Sequence, residues 1–340
     1  MDKRVIFAVA GSGKTTLLTQ RLREDSRSLI LTHTVNNEAH LRARIIKQFG
    51  FMPEGIRVMT WFEFLHSFCF RPFLQERLAS RGLSFAQPPL RLPRTNALHY
   101  QDRSGRLYHR RLTQLLIALD MLPSICDRLV RYYEELLVDE VQDFAGNDFN
   151  FLLALCRADV SILFAGDFYQ HTFDTSRDGN INATLHEDIT RYEARFSTAG
   201  VTVDRETLSR TWRCSTTVCR FITDQLNIHI EPHRAYDTKI ETVNDAERVS
   251  VLHTDDSVIK LFYREHYRYG CYSMNWGASK GLDHFNDVCI VMGADHWRLL
   301  NKQGLQALPP SSRNKLYVAC SRARGNIYFV PEAQLRRFKS

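Results

Sequence analysis

Short apolar runs alternate with longer segments of helical spacing along the first half of the chain. The apolar runs predict buried strands at residues 4–8, 28–33, 57–60, 136–139 and 161–165. Helices are predicted from Lys14, over residues 36–48 and over residues 148–156. Strands that alternate with helices in this way are typical of parallel β–α–β units.

The alternation returns after about residue 205, with a helix predicted over 216–226 and strands over 248–253, 287–292 and 326–330. Between about residues 70 and 130 it is broken by prolines and frequent basic residues, which predict a small, mainly helical insertion. We therefore predict an α/β protein with two lobes, residues 1–205 and residues 206–340, each built on a parallel sheet flanked by helices.

Composition narrows the class of protein only modestly. The 340 residues suffice for two domains, and the net charge of +7 favours a polyanionic partner, although many mildly basic proteins bind none. The eight cysteines form no CxxC pair, so we expect reduced thiols in the core rather than a zinc site. Reduced thiols, and the lack of a signal peptide or a membrane-spanning run, favour a cytoplasmic protein.

A glycine-rich turn, AVAGSGKT at residues 8–15, joins the first strand to the first helix. Small residues let the backbone N–H groups wrap phosphate oxygens, and the following helix adds partial positive charge. The alternative is a glycine-rich turn with a chance Lys-Thr pair, which the flanking strand and helix disfavour. Lys14 is predicted to bind the phosphates and Thr15 to bind Mg²⁺. The nucleotide-binding residues predicted here are Ala10, Gly11, Ser12, Gly13, Lys14, Thr15 and Thr16.

Two acidic residues, Asp139 and Glu140, end the apolar strand at residues 136–139. Ligands of an open α/β sheet bind at the carboxyl ends of its strands. Asp139 suits a magnesium ligand, and Glu140 suits the base that orients or deprotonates water. Alone, such a pair is usually a solvated strand end. After a phosphate-binding turn, it becomes the second half of the predicted metal site.

The longer string DEVQD at residues 139–143 resembles the DExQD signature of superfamily 1 helicases of the UvrD/Rep type. Further segments resemble that family's motifs in the family's order. They are AVAGSGKT at 8–15, THTVNN at 32–37, residues 60–64, GD at 166–167 with Gln170, TWR at 211–213, KGLD at 280–283 and YVACSRAR at 317–324.

The resemblance implies two RecA-like P-loop NTPase lobes that use ATP and Mg²⁺ and hydrolyse ATP at the lobe interface. Gln170 would sense the γ-phosphate and the attacking water, and Arg213 and Arg322 would act as arginine fingers. Trp212 takes the place of an aromatic that stacks on adenine, with a plain core role as the alternative, and Asp283 would lie near the ribose or the lobe interface. The strand contacts that the resemblance implies are Thr32, His33, Asn36, Thr60 and Trp61.

Four departures from the family weaken the expected grip on adenine and on the strand. The phosphate-binding turn at residues 8–15 lies too near the start of the chain for the upstream glutamine with which the family reads adenine. The two large insertions that the family's bigger members carry look reduced here. Phe173 takes the place of a family Tyr, but Thr175 replaces a base-stacking Trp, and Gly277 replaces a strand-gripping His. Base stacking contributes about 1–3 kcal/mol per base, so these losses matter.

We therefore expect an ATP-dependent translocase or helicase on single-stranded nucleic acid, with DNA favoured and RNA left as the alternative. Two stretches that mix basic and aromatic residues, 103–111 and 263–269, are further candidates for strand contact, with an exposed loop and an amphipathic helix as the alternatives. The second hypothesis is a nucleotide-gated regulatory subunit of a nuclease-containing complex, such as those of bacterial antiviral defence, without unwinding activity.

Overall fold

The computed structural model describes residues 1–89, 91–172, 175 and 180–340. It divides into two compact units. The first unit comprises Met1–Ile6, Thr15–Gly166 and Phe173–Asp204. The second comprises Phe7–Lys14, Asp167–Thr172 and Arg205–Ser340. The glycine-rich turn and the segment that carries Gln170 therefore pack with the C-terminal half of the chain.

The first unit is built around a six-stranded sheet in the order β3-β2-β6-β7-β1-β8. The strands up to residue 204 are β1 (Lys3–Phe7), β2 (Ser28–Thr32), β3 (Ile56–Thr60), β4 (Leu83–Ser84), β5 (Leu107–Tyr108), β6 (Glu135–Asp139), β7 (Ser161–Gly166) and β8 (Thr202–Asp204). Strand β2 pairs in parallel with β3 and β6, and its five residues are all buried because it lies between them.

The helices of the first unit flank this sheet. They are α1 (Lys14–Gln20), α2 (Val35–Phe49), α3 (Trp61–Glu63), α4 (Arg71–Leu74), α5 (Leu112–Ala118), α6 (Leu122–Tyr132), α7 (Gly146–Ala154) and α8 (Ile189–Thr198), with a π-helical turn at Phe64–Phe70 between α3 and α4. Helix α2 begins where the Thr34 side chain accepts a hydrogen bond from the Asn37 amide, and it ends at Gly50 in the left-handed conformation.

The second unit holds a five-stranded parallel sheet in the order β11-β15-β14-β12-β13. The strands of the second unit, of which β9 and β10 lie outside this sheet, are β9 (Arg210–Thr211), β10 (Glu231–Pro232), β11 (Ile240–Thr242), β12 (Ile259–Phe262), β13 (Ser273–Asn275), β14 (Val288–Met292) and β15 (Ile327–Pro331). Its helices are α9 (Thr216–Leu226), α10 (Ala246–Thr254), α11 (Ala294–Asn301), α12 (Pro310–Cys320) and α13 (Glu332–Leu335).

The predicted α/β class with parallel sheets and flanking helices is confirmed, but one element was predicted wrongly. Residues 248–253 form most of helix α10, not a strand. The side chain of Asp245 accepts a hydrogen bond from the Arg248 amide and caps this helix. Val249 is buried and Val251 is 63% exposed, so one helical face packs while the other is solvated.

All eight cysteines are free, and six of them are buried, as the scattered spacing predicts. Burial raises the pKa of Cys156 to about 12 and that of Cys289 to about 12. Both thiols are therefore protonated at neutral pH and behave as small apolar core residues. No helix among the described residues is long and apolar enough to span a membrane.

Candidate nucleotide site

The turn between β1 and α1 has the backbone shape that a phosphate cradle needs. Gly11 and Gly13 have φ angles of 70° and 97°, in the left-handed region that glycine adopts at little cost. The Ser12 side chain is 3% exposed, and its Oγ has no hydrogen-bond partner among the described residues. A buried hydroxyl without a partner is costly unless a ligand completes it, so the turn fits an anionic group.

The segment Thr211 to Arg213 packs directly on this turn, within the second unit. The Trp212 amide donates to the Gly11 carbonyl oxygen at 3.0 Å. A Cβ atom on Gly11 would lie 2.8 Å from Arg213 Cβ and 2.9 Å from Thr211 Oγ1. Only glycine therefore fits at position 11, both for its φ angle and for the space available.

Only part of the Arg213 guanidinium beside the turn is hydrogen-bonded. Its Nη1 donates to the Ser321 carbonyl oxygen at 3.1 Å, while its Nε is buried without a hydrogen-bond partner among the described residues. Burial is the main cause that lowers the pKa of this guanidinium. A half-buried cation with an unused, buried N–H group fits a site that an anion completes.

A buried hydrogen-bond network joins three motifs within the second unit. The Ala10 amide donates to the Tyr317 hydroxyl at 2.9 Å, and that hydroxyl donates to Asp167 Oδ2 at 2.8 Å. Gln170 Nε2 donates to the same Oδ2 at 2.9 Å. Burial and the nearby Asp167 carboxylate raise the pKa of Tyr317, so it remains a neutral donor. Tyr317 thus fixes the carboxylate that orients Gln170, a role that the sequence did not indicate.

The predicted metal ligands lie together in the first unit. Thr15 Oγ1 donates to Asp139 Oδ2 at 3.2 Å, and the Glu140 amide donates to Asp139 Oδ1 at 3.0 Å. Hydroxyl and carboxylate oxygens are the ligands that Mg²⁺ prefers, so this pair suits the ion. Lys14 begins helix α1 and is 8% exposed. Thr16, which follows Thr15, accepts a hydrogen bond from Arg44 Nη1 at 2.8 Å.

Glu140 directly follows strand β6 in a strained backbone conformation, with φ 58° and ψ 47°. A non-glycine residue in this region costs about 1–2 kcal/mol. Its carboxylate accepts a hydrogen bond from Gln142 Nε2 at 2.6 Å. Such strain is concentrated at functional sites, where surrounding structure holds a side chain in a required position.

Three other predicted residues of the second unit have contrasting environments. Trp212 is 57% exposed and stacks on His233 with ring centroids 3.8 Å apart, which excludes the core role that was its alternative. The Asp283 side chain is exposed and lies 4.0 Å from Arg324. Arg322 is buried and donates to the carbonyl oxygens of Val318 and Leu282. The finger role of Arg322 and the nucleotide contact of Asp283 stay predictions.

Two of the five predicted strand contacts, Trp61 and Thr60, have structural roles in the first unit. Trp61 is 3% exposed and packs against Phe64, Phe144 and Phe151 in the core of the first unit. Thr60 caps helix α3, since its hydroxyl accepts a hydrogen bond from the Glu63 amide at 3.2 Å.

The remaining three predicted contacts differ in exposure. Thr32 is fully buried, His33 is half-buried and Asn36 is exposed. Asn36 is therefore the best placed of the predicted contacts, and all five stay predictions.

The two departures in strand-gripping motifs lie in ordinary packing environments. Thr175, which replaces the family Trp, accepts a hydrogen bond from the Ala145 amide and donates its own amide to the Asp143 carbonyl oxygen. Gly277 lies against the side chains of Thr172 and Lys315. Phe173 lies outside the described residues.

Comparison with known proteins identifies the family. The model of the viral superfamily 1 RNA helicase core domain matches residues 118–331, which is more than half of the chain. No curated protein matches the chain.

Solved structures of viral helicases are similar to this chain at low identity. The PRRSV helicase has 15% identity and a TM-score of 0.47 over 99% of this chain and 54% of that one. The arterivirus nonstructural protein 10 helicase in complex with DNA has 16% identity and a TM-score of 0.48 over 96% of this chain and 60% of its own. The same helicase crystallised separately has 14% identity and a TM-score of 0.48 over 98% and 62%.

This chain therefore spans about half to three-fifths of the length of these helicases. The family match includes the predicted residues from Asp139 to Arg322 and ends at the last strand of the second sheet. The chain belongs to the viral superfamily 1 RNA helicase core-domain family.

Proposed function

We propose that this chain is an ATP- and Mg²⁺-dependent motor that moves along single-stranded nucleic acid. The observation that carries the proposal is the contact between Gly11 and Arg213. It places a guanidinium whose Nε has no hydrogen-bond partner among the described residues against a glycine turn that fits phosphate groups. Membership of a helicase family supports it. The motif resemblance further suggests a compact relative of the UvrD/Rep helicases.

Each residue of the nucleotide site has a distinct task in this proposal. The backbone of residues 11–14 wraps the phosphates, and Lys14 and Arg213 neutralise their charge. Thr15 and Asp139 hold Mg²⁺, which when bound would neutralise phosphate oxygens and orient the triphosphate. Glu140 accepts the proton of the attacking water, in a position that its hydrogen bond from Gln142 maintains.

The network through Tyr317 gives Gln170 a defined orientation before the reaction. Asp167 Oδ2 accepts hydrogen bonds from both Tyr317 and Gln170, so the Gln170 amide group is turned with its nitrogen toward Asp167. Its oxygen therefore points away from that carboxylate and is the atom available to accept a hydrogen bond from water. We propose that Gln170 orients the attacking water in this way, and that Trp212 stacks on the adenine.

The test is the rate of ATP hydrolysis by the purified chain with Mg²⁺, measured with and without single-stranded oligonucleotides. We expect at least about tenfold stimulation, because strand binding couples to the closure steps that complete such sites. Oligo(dT) and oligo(U) are compared separately, since the motif resemblance implies DNA and the family description names RNA. Lys14→Ala supplies the background rate.

A flat response to both oligonucleotides would contradict the motor. If the protein also eluted in a stable complex with a nuclease on size exclusion, the regulatory-subunit hypothesis would replace it. A strong response to either oligonucleotide identifies the preferred strand and supports the motor.

A further inference from the structure

A row of aromatic rings runs from the buried Phe70 to the surface of the first unit, outside the nucleotide site. Phe62 stacks on His66 with ring centroids 6.0 Å apart, and His66 stacks on Phe70 at 6.2 Å. The spacing of four residues places these rings on one face of the helical stretch from α3 to Phe70. Phe62 directly follows the buried Trp61, so the ring that reaches the surface here is Phe62.

Two further rings extend the row from strands β4 and β5. Phe85 follows β4, and His109 follows β5, which pairs with β4 in parallel. Their centroids are 4.7 Å apart, and Phe62 lies 5.9 Å from Phe85 and 6.2 Å from His109. Phe85 is 69% exposed although it contacts two other rings. An exposed aromatic that neighbouring rings hold in place is poised to stack on a flat ligand.

The chain segment that carries Phe85 and His109 is strongly positive. Residues 81–111 contain seven arginines and one acidic residue, so nearly all of the chain's net charge of +7 comes from this segment. Six of those arginines are exposed: Arg81, Arg91, Arg94, Arg103, Arg106 and Arg110. The acidic residue, Asp102, already accepts hydrogen bonds from the Ser104 hydroxyl and the Arg106 amide.

The two histidines of the row, His66 and His109, carry no charge at neutral pH. Burial, and secondarily the charge of Arg71, lowers the pKa of His66. Burial also lowers the pKa of His109, with a smaller contribution from Arg110, against the opposing effect of the Ser84 carbonyl. Both imidazoles are therefore neutral at pH 7 and present flat aromatic faces.

We propose that Phe85, supported by Phe62 and His109, is a base-stacking platform for single-stranded nucleic acid. The exposed arginines of residues 81–111 neutralise the phosphates on either side of the stacked base. The inference rests on the proposed function. It offers a source of strand grip in a chain where Thr175 and Gly277 replace the family's stacking and gripping residues.

The test measures the affinity of labelled dT12 and U12 by fluorescence anisotropy for wild type and Phe85→Ala. We expect about tenfold weaker binding of at least one oligonucleotide by Phe85→Ala, which corresponds to about 1.4 kcal/mol. Phe85→Tyr keeps the ring and restores the affinity. An abasic oligonucleotide of the same length should bind wild type and Phe85→Ala with similar affinity, because it has no base to stack.

The matched control is Phe51→Ala, since Phe51 is also an exposed phenylalanine of the first unit, at 49% exposure. It should leave strand affinity unchanged. Arg106→Gln should reduce the slope of log affinity against log salt by about 0.7. Strand-free ATP hydrolysis should be the same in wild type and Phe85→Ala.

Suppose that wild type binds the oligonucleotides and hydrolyses ATP faster with them. If Phe85→Ala then shows the same affinity and the same stimulation, the stacking platform is refuted and the proposed motor function is not. If wild type binds neither oligonucleotide, both the platform and the motor are refuted.

Discussion

Glu140→Gln is expected to lower the turnover number for ATP by about 10²–10⁴-fold while nucleotide affinity stays near that of wild type. The substitution keeps the shape of the side chain and its place after strand β6, but an amide cannot accept the proton of the attacking water. Steady-state hydrolysis and the binding of a fluorescent ATP analogue measure the two effects separately.

The control for this variant is Glu135→Gln at the other end of the same strand. Glu135 is the first residue of β6 and pairs with Arg21. Replacing the Glu135 carboxylate with an amide should leave the turnover number for ATP unchanged. Normal hydrolysis by Glu140→Gln would show that another residue activates the water, and loss of nucleotide binding would show that Glu140 has a structural role instead.

Gly11→Ala is expected to weaken nucleotide binding at least about tenfold and to lower the free energy of unfolding by about 1–3 kcal/mol. The added Cβ would lie 2.8 Å from Arg213 Cβ, and alanine would also be strained at a φ angle of 70°. The turn can relieve this contact only by moving away from Arg213. Titration with a fluorescent ATP analogue and denaturant unfolding measure the two losses.

Gly50→Ala separates backbone strain from steric conflict. Gly50 has a φ angle of 84°, but a Cβ atom there meets nothing within 4 Å. This control should lower the free energy of unfolding by about 1–2 kcal/mol and leave nucleotide affinity intact. Equal nucleotide affinity in Gly11→Ala and wild type would refute the tight packing between Gly11 and Arg213.

The parts of the nucleotide site that depend on local chain geometry could be predicted from the sequence. A glycine turn between a strand and a helix determines its own backbone shape, so Gly11 and Gly13 were recognisable without tertiary information. The pair of Thr15 and Asp139 also followed, because strand ends of a parallel sheet meet at one edge. Tyr317 was missed as a positioning residue because its contacts join residues far apart in sequence.

Errors arose where a polar residue or a capping residue obscured the periodicity. Strand β12 was missed because Lys260 interrupts its apolar run, yet Lys260 is buried and donates through Nζ to the Asp255 and Val258 carbonyl oxygens. The pattern of residues 248–253 predicts a strand, whereas the capping residue Asp245 indicates the helix α10 that the structure shows.

The direction in which a helical side chain points is a further feature that the sequence pattern did not supply. Trp61 and Phe62 are adjacent aromatics, and the motif resemblance favoured the tryptophan as a strand contact. The structure buries Trp61 in the core and leaves Phe62 partly exposed, because side chains one residue apart on a helix point in different directions. The spacing of Phe62, His66 and the buried Phe70 was the sequence signal that could have indicated this row of rings.

We propose above that residues 11–14 and Arg213 bind the phosphates of a nucleotide whose Mg²⁺ is held by Thr15 and Asp139. A crystal structure with Mg²⁺, ADP and aluminium fluoride tests it most directly. We expect the fluoride within about 3 Å of Lys14 Nζ and Arg213 Nε, with the metal bound by Thr15 and Asp139. Nucleotide density away from Gly11, or an Arg213 Nε that still contacts no ligand atom, would contradict it.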